Sequence, residues 1–198
     1  MTYIGRFAPS PTGPLHFGSL ITAVASYCDA KANHGQWLVR IEDTDIPRIY
    51  PNSESHILDC IDAFEFEPDA DINFQKNRLD LYEDVLDQLK QAQQIYACEC
   101  TRKQLGSNHI YVGTCRDLHL DFLNQAIRLK VDDQLICFDD LLQGRQCSNL
   151  KNDLGDFVLK RRDGIISYQL AVVVDDYLQG ITHVVRGADL LDNTARQT

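Results

Sequence analysis

Arg6-Phe7-Ala8-Pro9-Ser10-Pro11-Thr12-Gly13-Pro14-Leu15-His16-Phe17-Gly18-Ser19 joins a first apolar strand to a first helix, and its make-up decides how the fold begins. Three prolines stiffen the loop, Gly18 lets a ligand approach the backbone, and the helix that follows aims its free N–H groups at whatever binds there. An anion is the natural guest of such a turn. His16, just ahead of the helix, is placed to donate a hydrogen bond to a phosphate oxygen as negative charge grows in a transition state. A His-x-Gly triplet alone carries little weight, since a single histidine is more often a satisfied structural residue. The whole string in a strand-loop-helix setting carries much more.

Working outward, residues 3–8 predict a short buried strand and 37–42 a second, partly alternating one. The helix between them starts near Gly18, sets Leu20, Ile21, Val24, Ala25 and Cys28 on one apolar stripe, and stops at Asn33-His34-Gly35. That is one βαβ unit. Helices follow over 53–65 and 78–94, the second with Leu79, Tyr82, Leu86 and Leu89 at helical spacing. Residues 96–116, rich in Cys and Gly with weak periodicity, predict a metal-organised loop. Strands are expected at 127–131, 135–138, 156–161 and 165–174, with Asp163-Gly164 as the turn between the last two. There is no internal repeat or long linker, so 1–198 reads as a single domain with an inserted subdomain over about 96–155.

The chain has 198 residues, 44% hydrophobic and 24% charged, enough for a full core. No apolar run reaches the length of a membrane span, and the start shows no targeting pattern, so a soluble cytoplasmic protein is expected. The net charge of −10 is awkward for a nucleic-acid partner, because phosphate contacts come from Lys and Arg. Lys160-Arg161-Arg162 is the one basic run of three, either a contact or a solvated turn. Seven cysteines without a secretory signal argue for reduced thiols or metal ligation rather than a disulfide framework.

The Pro-Ser-Pro-Thr-Gly string ahead of His-x-Gly resembles the first signature of class I aminoacyl-tRNA synthetases, in their glutamate and glutamine branch. The family's final histidine is Ser19 here, which leaves His16 as the main phosphate partner. Arg40-Ile41-Glu42-Asp43-Thr44-Asp45 is similar to the family's acidic strand-end motif. Asp175-Asp176 with Ile181-Thr182-His183-Val184-Val185-Arg186-Gly187-Ala188-Asp189 resembles its later core strand. The resemblance implies an α/β fold: a Rossmann-like catalytic domain with a parallel sheet and an inserted zinc-containing subdomain.

Glutamate carries two carboxylates and one ammonium, so its site needs cationic forks and an anion. Arg6 and Arg186 suit the carboxylates and Glu42 the ammonium. The resemblance places the glutamate contacts on Arg6, Phe7, Ala8, Pro9, Ser10, Glu42, Tyr168 and Arg186, with His16 and Gly18 serving the chemistry. It also implies ATP, accompanied by Mg²⁺, as co-substrate. Asp175 and Asp176 are left between contacting ribose or holding the sheet end, on one side, and forming a solvated strand terminus, on the other.

Cys98, Cys100 and Cys115 offer three soft ligands, which with one more donor make a closed tetrahedral zinc pattern. Chemistry alone points to His109 as the fourth. Similarity to the branch that glutamylates queuosine, with Cys-x-Cys-Thr-Arg followed by Tyr-x-Gly-x-Cys-Arg, points to Tyr111. Cys28, Cys60, Cys137 and Cys147 read as small apolar residues.

The resemblance implies a monomer that activates glutamate without tRNA and passes it to the queuosine base at the wobble position of tRNA(Asp). Two alternatives stand beside it: an ordinary glutamyl-tRNA synthetase catalytic domain, and a catalytically silent zinc or amino-acid binding module. The family's second, lysine-bearing signature is absent from these residues. The chain is therefore expected to fold and bind glutamate but to activate it poorly or not at all.

Overall fold

The computed structural model describes residues 2–105 and 110–198. Contacts divide the chain into two compact units, Met1–Leu79 with Val173–Leu191, and Asp80–Val172 with Asp192–Thr198.

In the first unit, β1 (Ile4–Phe7), β2 (Gln36–Ile41), β3 (Asn73–Phe74) and β9 (His183–Val184) form one sheet in the order β3-β2-β1-β9. All three pairings are parallel, with Arg6 opposite both Leu38 and Val184. β1 and β2 are joined through α1 (Phe17–Ala32), the predicted βαβ unit. Such a parallel pair needs its crossover and is buried on both sides, which is why β2 reads as a nearly continuous apolar run. The helix α2 (Ser53–Ala63) buries Ile57 and Ile61 in the same core.

The face of α1 that packs differs from the predicted stripe. Ala23, Ser26 and Ala30 are buried, whereas Ile21, Val24, Ala25 and Cys28 are exposed. Small side chains let the helix lie close to β2, where Trp37 is fully buried and its indole N–H donates to Ser26 Oγ at 2.9 Å. Burying an indole needs a partner for that N–H, and Ser26 supplies it where Val24 could not. Gly35 closes the crossover: a Cβ there would stand 2.4 Å from the Tyr3 carbonyl oxygen.

In the second unit, α3 (Leu79–Gln91) buries Tyr82 and Leu86 and leads to β4 (Ile95–Cys98). The antiparallel sheet β4-β5-β8 takes in β5 (Ala126–Leu129) and β8 (Val158–Lys160). A separate ribbon pairs β6 (Leu135–Asp140) with β7 (Gly144–Asn149). The short helices α4 (Arg102–Leu105) and α6 (Thr194–Gln197) lie in this unit as well.

Two expectations are corrected here. The stretch 165–174 is not a strand: after the Gly164 turn and one bridge, Lys160 to Ile166, the chain enters α5 (Tyr168–Leu178). Its Leu-Ala-Val-Val-Val run is buried almost all round, so neither period is visible in it. Cys137 and Cys147 are not separate apolar residues. They face each other across the ribbon and are disulfide-bonded. No helix among the described residues is long and apolar enough to cross a membrane.

Candidate functional site

Parallel strands place their carboxyl ends along one edge, and the loops leaving β1 and β2 meet there. The Glu42 N–H donates to the Pro9 carbonyl at 3.0 Å, tying the loop of Ala8, Pro9 and Ser10 to the end of β2. A tight turn from Ser10 to Thr12 follows. Pro11 is anchored by the Ser53 hydroxyl and the Tyr50 N–H, both donating to its carbonyl. The loop is therefore held from two sides before any ligand enters.

His16 is the N-cap of α1: its Nδ1 accepts from the Ser19 N–H at 3.1 Å. An accepting Nδ1 leaves the ring proton on Nε2, so the exposed imidazole keeps one donor for an incoming anion. Ser19 Oγ lies 3.3 Å from that Nε2. Gly18 serves this arrangement directly, because a Cβ on it would come within 3.0–3.1 Å of the His16 ring.

Behind the loop lies a buried charge network. Asp176 accepts from Arg6 Nε and Nη2, each at 3.3 Å, and from Arg40 Nη1 at 2.7 Å. Arg40 is fully buried and also reaches Gln179 at 2.7 Å and Glu42 at 3.3 Å. Asp175, equally buried, takes the Arg78 Nε–H and the Gln75 amide, both at 2.8 Å. These two aspartates are therefore structural members of the network rather than a solvated strand end.

Burial raises the pKa of Glu42, a shift that the positive charges of Arg40 and Arg6 oppose. Burial works against the Arg40 charge, yet Glu42 and Asp176 outweigh it and push its pKa up. Such a shell holds a carboxylate in fixed orientation, ready for a cationic group. Arg40 was missed as a site residue in the sequence, although a charge inside Trp-Leu-Val-Arg-Ile was the available signal. Arg186 is half-buried beyond β9. Tyr168, the first residue of α5, is half-buried in the second unit.

In the second unit, the sulfurs of Cys98, Cys100 and Cys115 all lie within 4.8 Å of one another, with Cys98 and Cys115 buried. The Tyr111 hydroxyl is 3.4 Å from both Cys98 Sγ and Cys100 Sγ and accepts from the Cys115 N–H at 2.9 Å. Three sulfurs and a phenol oxygen converging on one point fit a tetrahedral ion, whose ligand sulfurs at ~2.3 Å would stand about 3.8 Å apart. His109 lies outside the described residues.

The shell around this cluster is also built. The Arg128 guanidinium stacks 4.0 Å from the Tyr111 ring centroid and donates to the Asp156 carbonyl at 2.8 Å. The Asp156 carboxylate accepts from the Tyr96 hydroxyl at 2.6 Å, the Val131 N–H at 2.9 Å and the Arg116 guanidinium. Burial raises the Cys100 thiol pKa, and at Cys115 burial is outweighed by hydrogen bonds to Tyr111 and the Glu99 backbone, which lower it. Next to this cluster the Lys160-Arg161-Arg162 run lines a cavity of about 510 Å³ together with Phe122 and Leu123.

Comparison with known proteins matches residues 4–198 to the family "tRNA synthetases class I (E and Q), catalytic domain". The chain belongs to this family. Among its curated relatives, the Glutamyl-Q tRNA(Asp) synthetase of Acinetobacter baylyi is 79% identical over 195 residues, and that of Cupriavidus metallidurans is 53% identical over 208. Each match takes in 98% of this chain and 67% of the relative. A crystal structure of a glutamate tRNA ligase from Elizabethkingia meningosepticum in complex with its amino acid superposes with a TM-score of 0.87 at 30% identity. That match covers all of this chain but 46% of the ligase, so the chain spans less than half of it.

Proposed function

We propose that the protein containing this chain activates glutamate with ATP in the absence of tRNA and transfers the glutamyl group to the queuosine base at the wobble position of tRNA(Asp). The identity of 79% with a relative of that name, across nearly the whole chain, is the observation that carries this reading. It is the reading of a cytoplasmic enzyme.

In this reading Arg6 grips a glutamate carboxylate. Asp176 occupies its Nε–H and one Nη2–H. A guanidinium has five N–H groups, so the outer edge is left for a bidentate contact. Arg186 serves the other carboxylate and Glu42 the ammonium, with the Phe7-to-Ser10 backbone as the wall; the family resemblance adds the Tyr168 hydroxyl to the glutamate contacts. The α-carboxylate attacks the ATP α-phosphorus and pyrophosphate leaves. No protein nucleophile is needed: His16 Nε2–H and the first N–H groups of α1 stabilise the growing phosphate charge. Mg²⁺ comes with the ATP.

Cys98, Cys100, Cys115 and Tyr111 would hold one zinc ion, which supplies a covalent-like clamp for the loop around them. Within the basic run Lys160 pairs with Glu83 and Arg161 with Asp163, so exposed Arg162 is the residue offered to RNA phosphate.

The test is glutamate-dependent ATP–pyrophosphate exchange without tRNA by the full-length protein, followed by mapping radiolabelled glutamate on queuosine-containing tRNA(Asp) by nuclease digestion. Label on the wobble fragment supports the proposal. The match to the glutamate tRNA ligase favours a second reading, an ordinary glutamyl-tRNA synthetase; exchange only with tRNA and label at the 3′ end would establish it. No exchange in either case would leave a silent binding module.

A further inference from the structure

The β6–β7 ribbon pairs with no other strand among the described residues. Two-stranded ribbons alone are marginal in water. The cross-strand pairs here are poor in apolar contact: Leu135 faces Asn149, Ile136 faces Ser148 and Phe138 faces Gln146. Asp139 and Arg145 are 3.7 Å apart with side chains 75% and 69% exposed, where an ion pair contributes little. Cys137 and Cys147 sit directly opposite in the middle of this ladder, with Cα atoms 4.1 Å apart, and are the one covalent tie between the strands. Both residues are solvent-exposed, unlike the buried Cys98 and Cys115.

We propose that Cys137 and Cys147 are a reversible disulfide/dithiol couple, reduced in the native protein by a dithiol reductant, and that this bond clamps the β6–β7 ribbon. A thiolate of the reductant attacks one exposed sulfur, the S–S bond breaks, and the departing sulfur leaves as a thiolate that takes up a proton. The second thiol of the reductant then resolves the mixed disulfide. Two electrons have passed to the couple, and the reductant has become its own disulfide. A small-molecule disulfide runs the exchange backwards. The facing register keeps the two thiols adjacent as long as the ribbon stays paired, which favours re-oxidation within the chain over capture by other thiols.

The experiment uses metal-loaded full-length protein equilibrated in oxidised and reduced dithiothreitol at graded ratios. Free thiols are alkylated with one label under native conditions, remaining cysteines with a second after denaturation and full reduction, and peptides are read by mass spectrometry. In oxidised buffer Cys137 and Cys147 are expected to take only the second label, while exposed Cys28 takes the first. In reduced buffer both should take the first label with the circular dichroism unchanged. Hydrogen exchange across 135–149 should then quicken at least fivefold and stay flat elsewhere. The double variant C137S/C147S should show the same fast exchange with no reductant present, which separates the effect from any loss of metal to the dithiol. First-label capture of both cysteines in oxidised buffer, reduction only after denaturation, or exchange in 135–149 indifferent to both treatments would each overturn the proposal.

Discussion

The carboxylate of Asp176 receives the Nε and Nη2 hydrogens of Arg6, each at 3.3 Å, so the orientation of that guanidinium is set by a residue far along the chain. If Arg6 grips a glutamate carboxylate with its outer edge, Asp176 is a positioning residue for that contact. Replacing it by Asn removes charge-assisted hydrogen bonds of about 1.5–3 kcal/mol each. The D176N variant is expected to raise the glutamate KM by one to two orders of magnitude with a smaller change in the ATP KM. Exchange kinetics at varied glutamate would check it; an unchanged glutamate KM in a folded variant sinks the idea.

Gly18 and His16 act as one device, since a Cβ at Gly18 would press on the His16 ring. G18A is expected to shift the imidazole by a few tenths of an ångström, weakening a cap worth about 1 kcal/mol and slowing pyrophosphate exchange. H16N separates the two roles. Asparagine caps as well as histidine does here or better, yet lacks the ring N–H aimed at phosphate. H16N should therefore keep its melting temperature while kcat falls roughly 10²–10³-fold, the cost of losing one transition-state donor.

The opening of the fold was legible because the chemistry of Arg6 to Ser19 is local. Loop, cap and helix follow one another within fourteen residues, so the order of the βαβ unit can be read locally. What the sequence concealed depended on distant partners. The buried face of α1 carries Ala23, Ser26 and Ala30 rather than its larger apolar residues, a choice made by Trp37 on the next strand. The helix α5 looked like a strand because Val172, Val173 and Val174 lie in its middle. Arg40 is explicable only once Asp176 and Gln179 are brought to it by that helix. The disulfide required β7, whose Gly-Arg-Gln-Cys-Ser-Asn has no strand pattern of its own.

Asp69 gives a pH dependence with a definite sign. Burial is the largest single influence and raises its pKa, but the Lys31 ammonium at 2.8–2.9 Å and the Trp37 N–H at 2.7 Å together outweigh it and hold it below the ordinary carboxylate value. A depressed folded-state pKa adds stability that is complete above the unfolded value of about 3.9 and is lost as pH falls through the folded one. D69N should thus be less stable than the parent at pH 6, with the gap closing below about pH 3.5. Urea unfolding at several pH values measures it, and a gap that widens on acidification would contradict the assignment.

Gly155 makes the metal cluster possible from the opposite side. It sits at φ +64°, and a Cβ there would come within 2.6 Å of the Tyr111 carbonyl oxygen and 2.7 Å of its nitrogen. That close approach lets the Asp156 N–H donate to the Tyr111 carbonyl at 3.1 Å and holds the phenol over Cys98 and Cys100. G155A should push the two backbones apart, withdraw the hydroxyl and lower metal affinity about 10–100-fold, as loss of a supporting contact does at such sites. Y111F leaves the backbone approach intact and removes only the oxygen donor. Chelator competition gives the affinities, and cobalt substitution reports the donor set through its visible absorption. If Tyr111 is the fourth ligand, Y111F weakens binding and alters the cobalt spectrum while H109A does neither. The reverse pattern would transfer the fourth position to His109 and leave Gly155 important for stability alone.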